Sequence, residues 1–161
     1  MESYLNKNKR PDLARIVSDV ISYAYVILFL YAAFYKLFDY GYFLRQLEHS
    51  PLLGPYRNWI GWAIPFSEIV ISFLLLRSRS RLFGLYAAAL IMAIFTLYIV
   101  YILNFSPHVP CSCGGILATM GWFEHLVFNS VFLILAIGGI VLQKKLIKIF
   151  PAQEKGEAEN L

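Results

Sequence analysis

Two cysteines one residue apart, Cys111 and Cys113, are the residues of this chain best suited to chemistry. The Cα atoms of residues i and i+2 lie about 5.5–7 Å apart, which overlaps only the upper part of the range that a disulfide tolerates. A disulfide between them would be strained, and strained, exposed disulfides are usually the labile or catalytic ones. Because it would close almost no loop, it would stabilise the fold very little. The spacing therefore favours thiol-disulfide exchange over a structural role.

Two alternatives use the same pair of thiols. The cysteines could be inert, either as a disulfide that does not exchange or as thiols that do not react. They could also bind a metal ion, because thiolate and imidazole ligands suit Cu(I) or zinc. The alternative metal site would consist of Cys111, Cys113 and His108, with Met120 and His125 nearby in the sequence.

A carboxyl group lies inside one of the apolar runs of the chain. Glu68 is about nine residues into its run, hence roughly 13 Å along a helix, and carboxyl groups at that depth are rare and usually functional. Lys36, at the end of the preceding run, is its expected partner, and the alternative is that this lysine snorkels to the lipid headgroups. Pro65, one turn before Glu68, would remove a helix hydrogen bond beside the carboxyl group. Two roles remain open for Glu68, namely locking two helices together and handling protons.

Trp122, His125 and Asn129 recur at helical spacing in the last apolar run, which places them on one face. We expect this face to look into the protein. His125 could handle protons during thiol chemistry, because an unperturbed imidazole titrates near neutrality. The competing interpretation is a packing histidine that hydrogen-bonds a neighbouring helix.

The composition of the chain is that of a membrane protein. Of its 161 residues, 59% are hydrophobic and only 15% are charged, whereas soluble domains are about 45–50% apolar. Four apolar runs approach the roughly 20 residues that a helix needs to cross a bilayer; they cover residues 16–35, 59–76, 82–103 and 122–142. They predict one all-α domain, an integral membrane four-helix bundle with two outer loops.

The ends of the chain are polar. The first apolar run is too long for a signal peptide and lacks a cleavage site, so it is expected to be retained as a span. Before it lies a polar segment, residues 1–12, in which Pro11 could occupy the first helical turn. At the other end of the chain, the polar tail 151–161 follows the fourth span and is expected to be disordered.

Basic residues predict the orientation of the bundle. Ten of the 14 Lys and Arg residues lie before the first run, in the link between the second and third, or at the end of the fourth: Lys7, Lys9, Arg10, Arg15, Arg77, Arg79, Arg81, Lys144, Lys145 and Lys148. By the positive-inside rule these regions are cytoplasmic, which gives an N-in and C-in topology. The first outer loop, about residues 36–58, is mixed, with Lys36, Arg45 and Arg57 against Asp39 and Glu48, and it indicates the orientation only weakly. The cysteine loop, about residues 104–121, contains no Lys or Arg. It should lie outside the cytoplasm, where disulfides persist.

The net charge of +4 is explained by this orientation and by contact with the lipid bilayer. No basic patch interleaved with aromatic residues predicts nucleic-acid binding. Trp59, Trp62 and Trp122 lie near predicted outer helix ends, where tryptophan commonly anchors a helix at the membrane interface.

These motifs resemble those of the MauE/DoxX group of small four-helix membrane proteins. The segment YKLFDYGYF, with Lys36 and Asp39, resembles the one that closes the group's first span, and Pro65 with Glu68 resembles its Pro-x-x-Glu in the second. The segments PCSCGG and MGWFEH are more similar to the MauE-like branch. The resemblance implies a redox-associated protein of the bacterial inner membrane, with thioredoxin-like partners.

The leading hypothesis is a thiol-disulfide redox protein whose cysteine loop faces the periplasm and exchanges disulfides with a thioredoxin-like or exported cysteine-containing partner. Membrane disulfide-generating enzymes relay electrons through two cysteine pairs to quinone, and this chain has one pair. Either this pair reacts with quinone directly, or a separate protein supplies the second redox centre. The alternatives are a non-catalytic subunit of a membrane complex and a Cu(I)- or zinc-binding maturation factor, so enzymatic activity stays open.

Overall fold

A computed structural model describes residues 2–50, 52–105 and 121–149, with side chains from residue 13 onward. Within these ranges the chain forms helices and turns and no strand. The helices are α1 (Glu2–Phe38), α2 (Tyr40–Glu48), a short 3-10 helix (Gly54–Tyr56), α3 (Arg57–Leu76), α4 (Arg81–Phe105) and α5 (Trp122–Ile149). The predicted all-α class is confirmed.

Four segments are long and apolar enough to cross a membrane: Leu13–Phe38, Gly54–Leu76, Arg81–Phe105 and Trp122–Ile149. Large apolar side chains cover the outside of the bundle, and Phe34, Phe66 and Phe73 are each mostly exposed. Such a surface is stable in lipid and would aggregate in water. The chain is therefore a multi-pass membrane protein, as its hydropathy predicts.

The four spans form a closed ring in which α1 packs against α3 and α5, and α4 packs against the same two helices. We call the end of the ring with Phe38, Arg57, Phe105 and Trp122 the outer end, after the orientation that the basic residues predict. The opposite end, the inner end, is tied together by polar contacts. Arg81 pairs with Asp19, and Ser18 Oγ donates to Gln143 Oε1 over 2.9 Å.

The middle of the bundle is closely packed around Tyr25. Its ring meets Phe132 edge to face, with centroids 5.4 Å apart, and its hydroxyl donates to the carbonyl oxygen of Phe132. Phe29, Leu75 and Leu85 are fully buried beside it. Residues of all four spans meet in this one buried cluster.

The first outer loop contains a helix that hydropathy does not reveal. Helix α2 is short, and Asp39 caps it by accepting a hydrogen bond from the Tyr42 backbone nitrogen at 3.1 Å. Phe43 and Leu47 are its buried residues. Because the helix is amphipathic and only nine residues long, a search for continuous apolar runs passes over it.

The N-terminal expectation about proline is wrong. Helix α1 begins at Glu2, so Pro11 lies inside the helix and not in its first turn. The polar tail 151–161 lies outside the described residues.

Candidate functional site

A buried ion pair joins α1 to α3 in the outer half of the bundle. Lys36 Nζ lies 2.6 Å from Glu68 Oε1, and 3.4 Å from the carbonyl oxygen of Ala32, one turn earlier. The Glu68 side chain is 2% exposed and that of Lys36 15%. The expected partnership of these two residues is confirmed, whereas a role in proton handling stays a prediction.

The ion pair lines a cavity of about 400 Å³. All four spans and α2 contribute to its walls, which are mostly apolar and aromatic, with Tyr35, Phe95 and Phe128 among them. Polar side chains from different elements also converge on it; they are Lys36, Asp39, Gln46, Ser50, Ser67, Glu68, Tyr98, His125 and Asn129. An apolar cavity with a few convergent polar groups is the usual form of a small-molecule site.

His125 and Asn129 reach the cavity from α5, together with Trp122. The three lie on one side of the helix because they follow each other at intervals of three and four residues. Asn129 is buried, and His125 lines the same cavity as Lys36. The expectation that this face looks into the bundle is confirmed.

Two buried polar atoms of the cavity have no hydrogen-bond partner among the described residues. They are Glu68 Oε2 and His125 Nδ1. Leaving a buried polar group without a partner costs about 1–3 kcal/mol, so such groups usually meet a ligand, water or another part of the chain. Glu68 Oε2 can accept a hydrogen bond, and His125 Nδ1 can donate or accept one according to its tautomer.

Helix α2 and the turn after it cover the outer end of the cavity. Ser50 Oγ lies 2.6 Å from Tyr98 Oη on α4, and it accepts a hydrogen bond from the Leu53 backbone nitrogen at 3.2 Å. Glu48 at the end of α2 pairs with Arg57 at the start of α3. A Cβ atom added to Gly61 of α3 would lie 2.8 Å from the Leu44 side chain, so α2 packs closely on α3.

The structure also gives the positions of the other residues that the sequence singles out, namely Asp39, Pro65 and the three tryptophans. Asp39 lines the outer part of the cavity and caps α2. Pro65 is buried one turn before Glu68. Trp59 and Trp62 are exposed on the outside of the bundle, where anchoring at the interface is expected, but Trp122 lines the cavity.

The sequence does not single out the α2 and α4 residues of the site. Gln46, Ser50 and Tyr98 carry ordinary polar groups without a motif, and Ser50 and Tyr98 are far apart in the chain. The amphipathic pattern of residues 40–48, with a capping aspartate before it, is the signal that could have revealed the covering helix.

Cys111, Cys113 and His108 lie outside the described residues. The segment that carries them connects Phe105 of α4 to Trp122 of α5. Both attachment points are at the outer end, and Trp122 lines the cavity. The cysteine segment therefore starts and finishes at the end of the bundle that contains the buried polar groups.

Among the residues that the structure describes, no three His, Cys, Asp or Glu side chains come together as a metal site. The alternative metal set, Cys111, Cys113 and His108, is not among those residues. It stays a prediction.

These features define a class of protein: a multi-pass membrane protein built as a four-helix bundle, with a cavity in its outer half that holds an ion pair and a histidine. A family model described as "Methylamine utilisation protein MauE" matches residues 14–142. The chain belongs to this family, which confirms the MauE part of the resemblance, and the link to DoxX stays a prediction. No curated protein and no solved structure matches the chain.

Proposed function

We propose that this MauE-family protein is a thiol-disulfide redox protein of the bacterial inner membrane. Cys111 and Cys113 exchange disulfides with a thioredoxin-like or exported partner on the periplasmic side. The observation that carries the proposal is the position of the two cysteines in the sequence. They are one residue apart, in the segment between the outer ends of α4 and α5.

The orientation of the bundle supports a periplasmic site. The Arg-rich link after Leu76 and the lysines near the end of α5 belong to the inner end. The segment with the cysteines contains neither Lys nor Arg. Cytoplasmic loops are enriched in these residues, and disulfides persist in the periplasm and not in the cytosol.

The exchange reaction conserves electrons and protons. A partner thiolate attacks one sulfur of the Cys111–Cys113 disulfide, which forms a mixed disulfide and releases the other cysteine as thiolate. The partner's second thiolate then attacks the partner's own sulfur in the mixed disulfide. This step forms the partner's disulfide and releases the remaining cysteine of the pair as thiolate. The net result is an oxidised partner and a reduced pair, and the reverse direction follows the same steps.

Labelling in whole cells tests the site. A membrane-impermeant maleimide should modify Cys111 and Cys113 after mild reduction, because they face the periplasm. The matched control is Ser78→Cys in a C111S/C113S background. Ser78 is exposed in the link between α3 and α4, and it should react only after the cells are opened.

Trapping of mixed disulfides tests the exchange. With one cysteine of the pair changed to serine, the remaining thiol should retain a partner protein in a complex that reducing agent dissolves. The partner should shift its redox state when both cysteines are replaced. Labelling from the cytoplasmic side, or no change in any partner in the double variant, would refute the proposal.

The same experiments separate the accessory-subunit alternative. A stable stoichiometric complex that forms equally well in the C111S/C113S variant, with methylamine-dependent growth unchanged, would make the protein a non-catalytic subunit. Copper or zinc that co-purifies with the protein and is lost on thiol blocking would instead favour the maturation factor.

A further inference from the structure

The cavity has the size and lining of a site for a ring-shaped apolar ligand. Its volume of about 400 Å³ lies within the roughly 300–1,000 Å³ usual for small-molecule sites. Aromatic side chains from several elements form much of its wall, including Tyr35, Phe43, Phe95 and Phe128. Flat rings pack well against such walls, because aromatic groups stack or meet edge to face.

The cavity also reaches the surface that faces lipid. Tyr31 and Tyr35 of α1 line the cavity and are exposed on the outside of the bundle. Ile94 of α4 does the same. A ligand dissolved in the bilayer could therefore extend an apolar tail between the helices while its ring lies inside.

The polar groups suit a ligand with oxygen atoms on its ring. Lys36 and Asn129 carry N–H donors, and His125 Nδ1 is buried without a partner among the described residues. Glu68 Oε2 is likewise buried without such a partner and can accept a hydrogen bond. Ring carbonyls would accept from the donors, and ring hydroxyls would donate to Glu68.

We propose that this cavity binds the head group of a membrane quinone, and that the quinone is the electron acceptor of the cysteine pair. A quinone has two ring carbonyls, which become two hydroxyls on reduction, so it satisfies the donors in one state and the acceptor in the other. Binding rests on the cavity alone. Electron acceptance also rests on the proposed thiol function.

The electron transfer balances without a further reactant. The two thiols of Cys111 and Cys113 lose two electrons and two protons as their S–H bonds break and one S–S bond forms. The quinone gains the same two electrons and two protons, and its two carbonyl groups become two hydroxyls. One quinol forms for each disulfide.

Tryptophan fluorescence measures binding without the thiol chemistry. In a C111S/C113S background, replacing Trp59 and Trp62 by phenylalanine leaves Trp122 as the remaining one of the three tryptophans, and Trp122 lines the cavity. Titration of the purified protein with decylubiquinone should quench this fluorescence and saturate. A quinone that only partitions into detergent would quench in proportion to its concentration.

A pair of alanine substitutions tests the location. Ala32→Phe would fill the cavity, because Ala32 lines it, and saturable quenching should be lost. Ala63→Phe is the matched control, because Ala63 is exposed on α3 and does not contribute to the cavity; quenching should be unchanged. Equal quenching in both variants, or quenching that never saturates, would overturn the proposal.

His125→Phe keeps a flat ring at this position and removes both imidazole nitrogens, so it tests the site even if Ala32→Phe fails to fold. Quinone affinity should fall about tenfold, as expected for the loss of one hydrogen bond to a buried group. An unchanged affinity would contradict the assignment of the polar groups.

Anaerobic mixing of the reduced wild-type protein with decylubiquinone tests electron transfer. One quinol should appear per disulfide formed, in the wild type and in Ala63→Phe but not in Ala32→Phe. Failure of this step and of binding, while the cysteines still exchange with a partner, refutes only the quinone site. Saturable binding with cysteines that never exchange leaves the quinone site in place and refutes the thiol function, together with the electron transfer that rests on it.

Discussion

Lys36 and Glu68 form an ion pair that lines a cavity together with other polar side chains, among them His125. Glu68 Oε1 accepts a hydrogen bond from Lys36 Nζ, whereas Glu68 Oε2 has no partner among the described residues. His125 approaches the same region from α5. The cost of burying charged groups is offset only where each group has its partners, so removing one partner from this cluster should destabilise the bundle.

The ion pair makes a prediction about stability. Lys36→Met leaves the Glu68 carboxyl group buried without its counter-charge, and breaking one side of a buried pair typically costs about 3–5 kcal/mol. The purified protein should lose its monodisperse state at a clearly lower temperature than the wild type. The double variant K36M/E68Q should recover most of the loss, because it removes both charges.

Asp19→Asn is the control for this prediction. Asp19 also pairs with an arginine across the bundle, but its side chain is 37% exposed, so water screens the charge and the pair is worth less. A fall in melting temperature as large as that of Lys36→Met would show that burial of Glu68 is not the cause.

Part of the site could be predicted residue by residue. Glu68 and Lys36 were recognisable because charges in or beside apolar runs are rare, and the face of His125 and Asn129 followed from helical spacing. The contact of Ser50 with Tyr98 was not predictable, because the two residues are separated by 48 positions and neither belongs to a motif. Their meeting depends on how whole helices pack.

At the scale of elements, hydropathy predicts which segments span the membrane, but it does not predict where two helices pack closely against each other. Gly84 lies at a close contact between α4 and α3, because a Cβ atom there would be 2.9 Å from the Leu75 side chain and 3.0 Å from its backbone nitrogen. Small residues at such crossings let helix backbones approach in membranes. Gly138, by contrast, has open space around it.

These two glycines make a matched pair for a test of packing. Gly84→Ala should destabilise the bundle, because α3 and α4 must separate to admit the methyl group. Gly138→Ala should leave stability equal or slightly higher, since alanine favours a helix over glycine by up to about 1 kcal/mol. Thermal unfolding in detergent compares them, and equal effects at both positions would contradict the close contact.

Helix α2 depends on a few contacts to stay over the cavity. Its buried side chains are Phe43 and Leu47, and Ser50 joins the turn after it to Tyr98. The helix was not predictable from apolar length, because its stability comes from one amphipathic face and from the packing of its neighbours.

Ser50→Ala should loosen this cover. The substitution removes the hydrogen bond to Tyr98 and the one from the Leu53 nitrogen, each worth about 0.5–1.5 kcal/mol net. Backbone amides of α2 should exchange hydrogen faster, while those of α4 stay protected. Ser78→Ala in the exposed inner link is the control, and equal exchange in α2 of both variants would exclude the anchoring role of Ser50.

At the scale of the whole molecule, four membrane spans bring the start of α1 and the end of α5 to the same side, and the charge distribution predicts which side that is. The Arg residues of the link between α3 and α4 and the lysines close to the end of α5 lie at the inner end. In the proposed function, this orientation decides the redox environment of Cys111 and Cys113, because an N-in and C-in topology would put their segment in the periplasm.

Reporter fusions test this orientation independently of thiol chemistry. Green fluorescent protein fused after residue 149 should fluoresce in the cytoplasm, and alkaline phosphatase at the same point should be inactive because it needs the periplasm to form its disulfides. Alkaline phosphatase fused after Asn104, at the outer end of α4, should be active. The opposite pattern would place the cysteines in a reducing compartment, where a strained disulfide would not persist and thiol exchange would lose its physical basis.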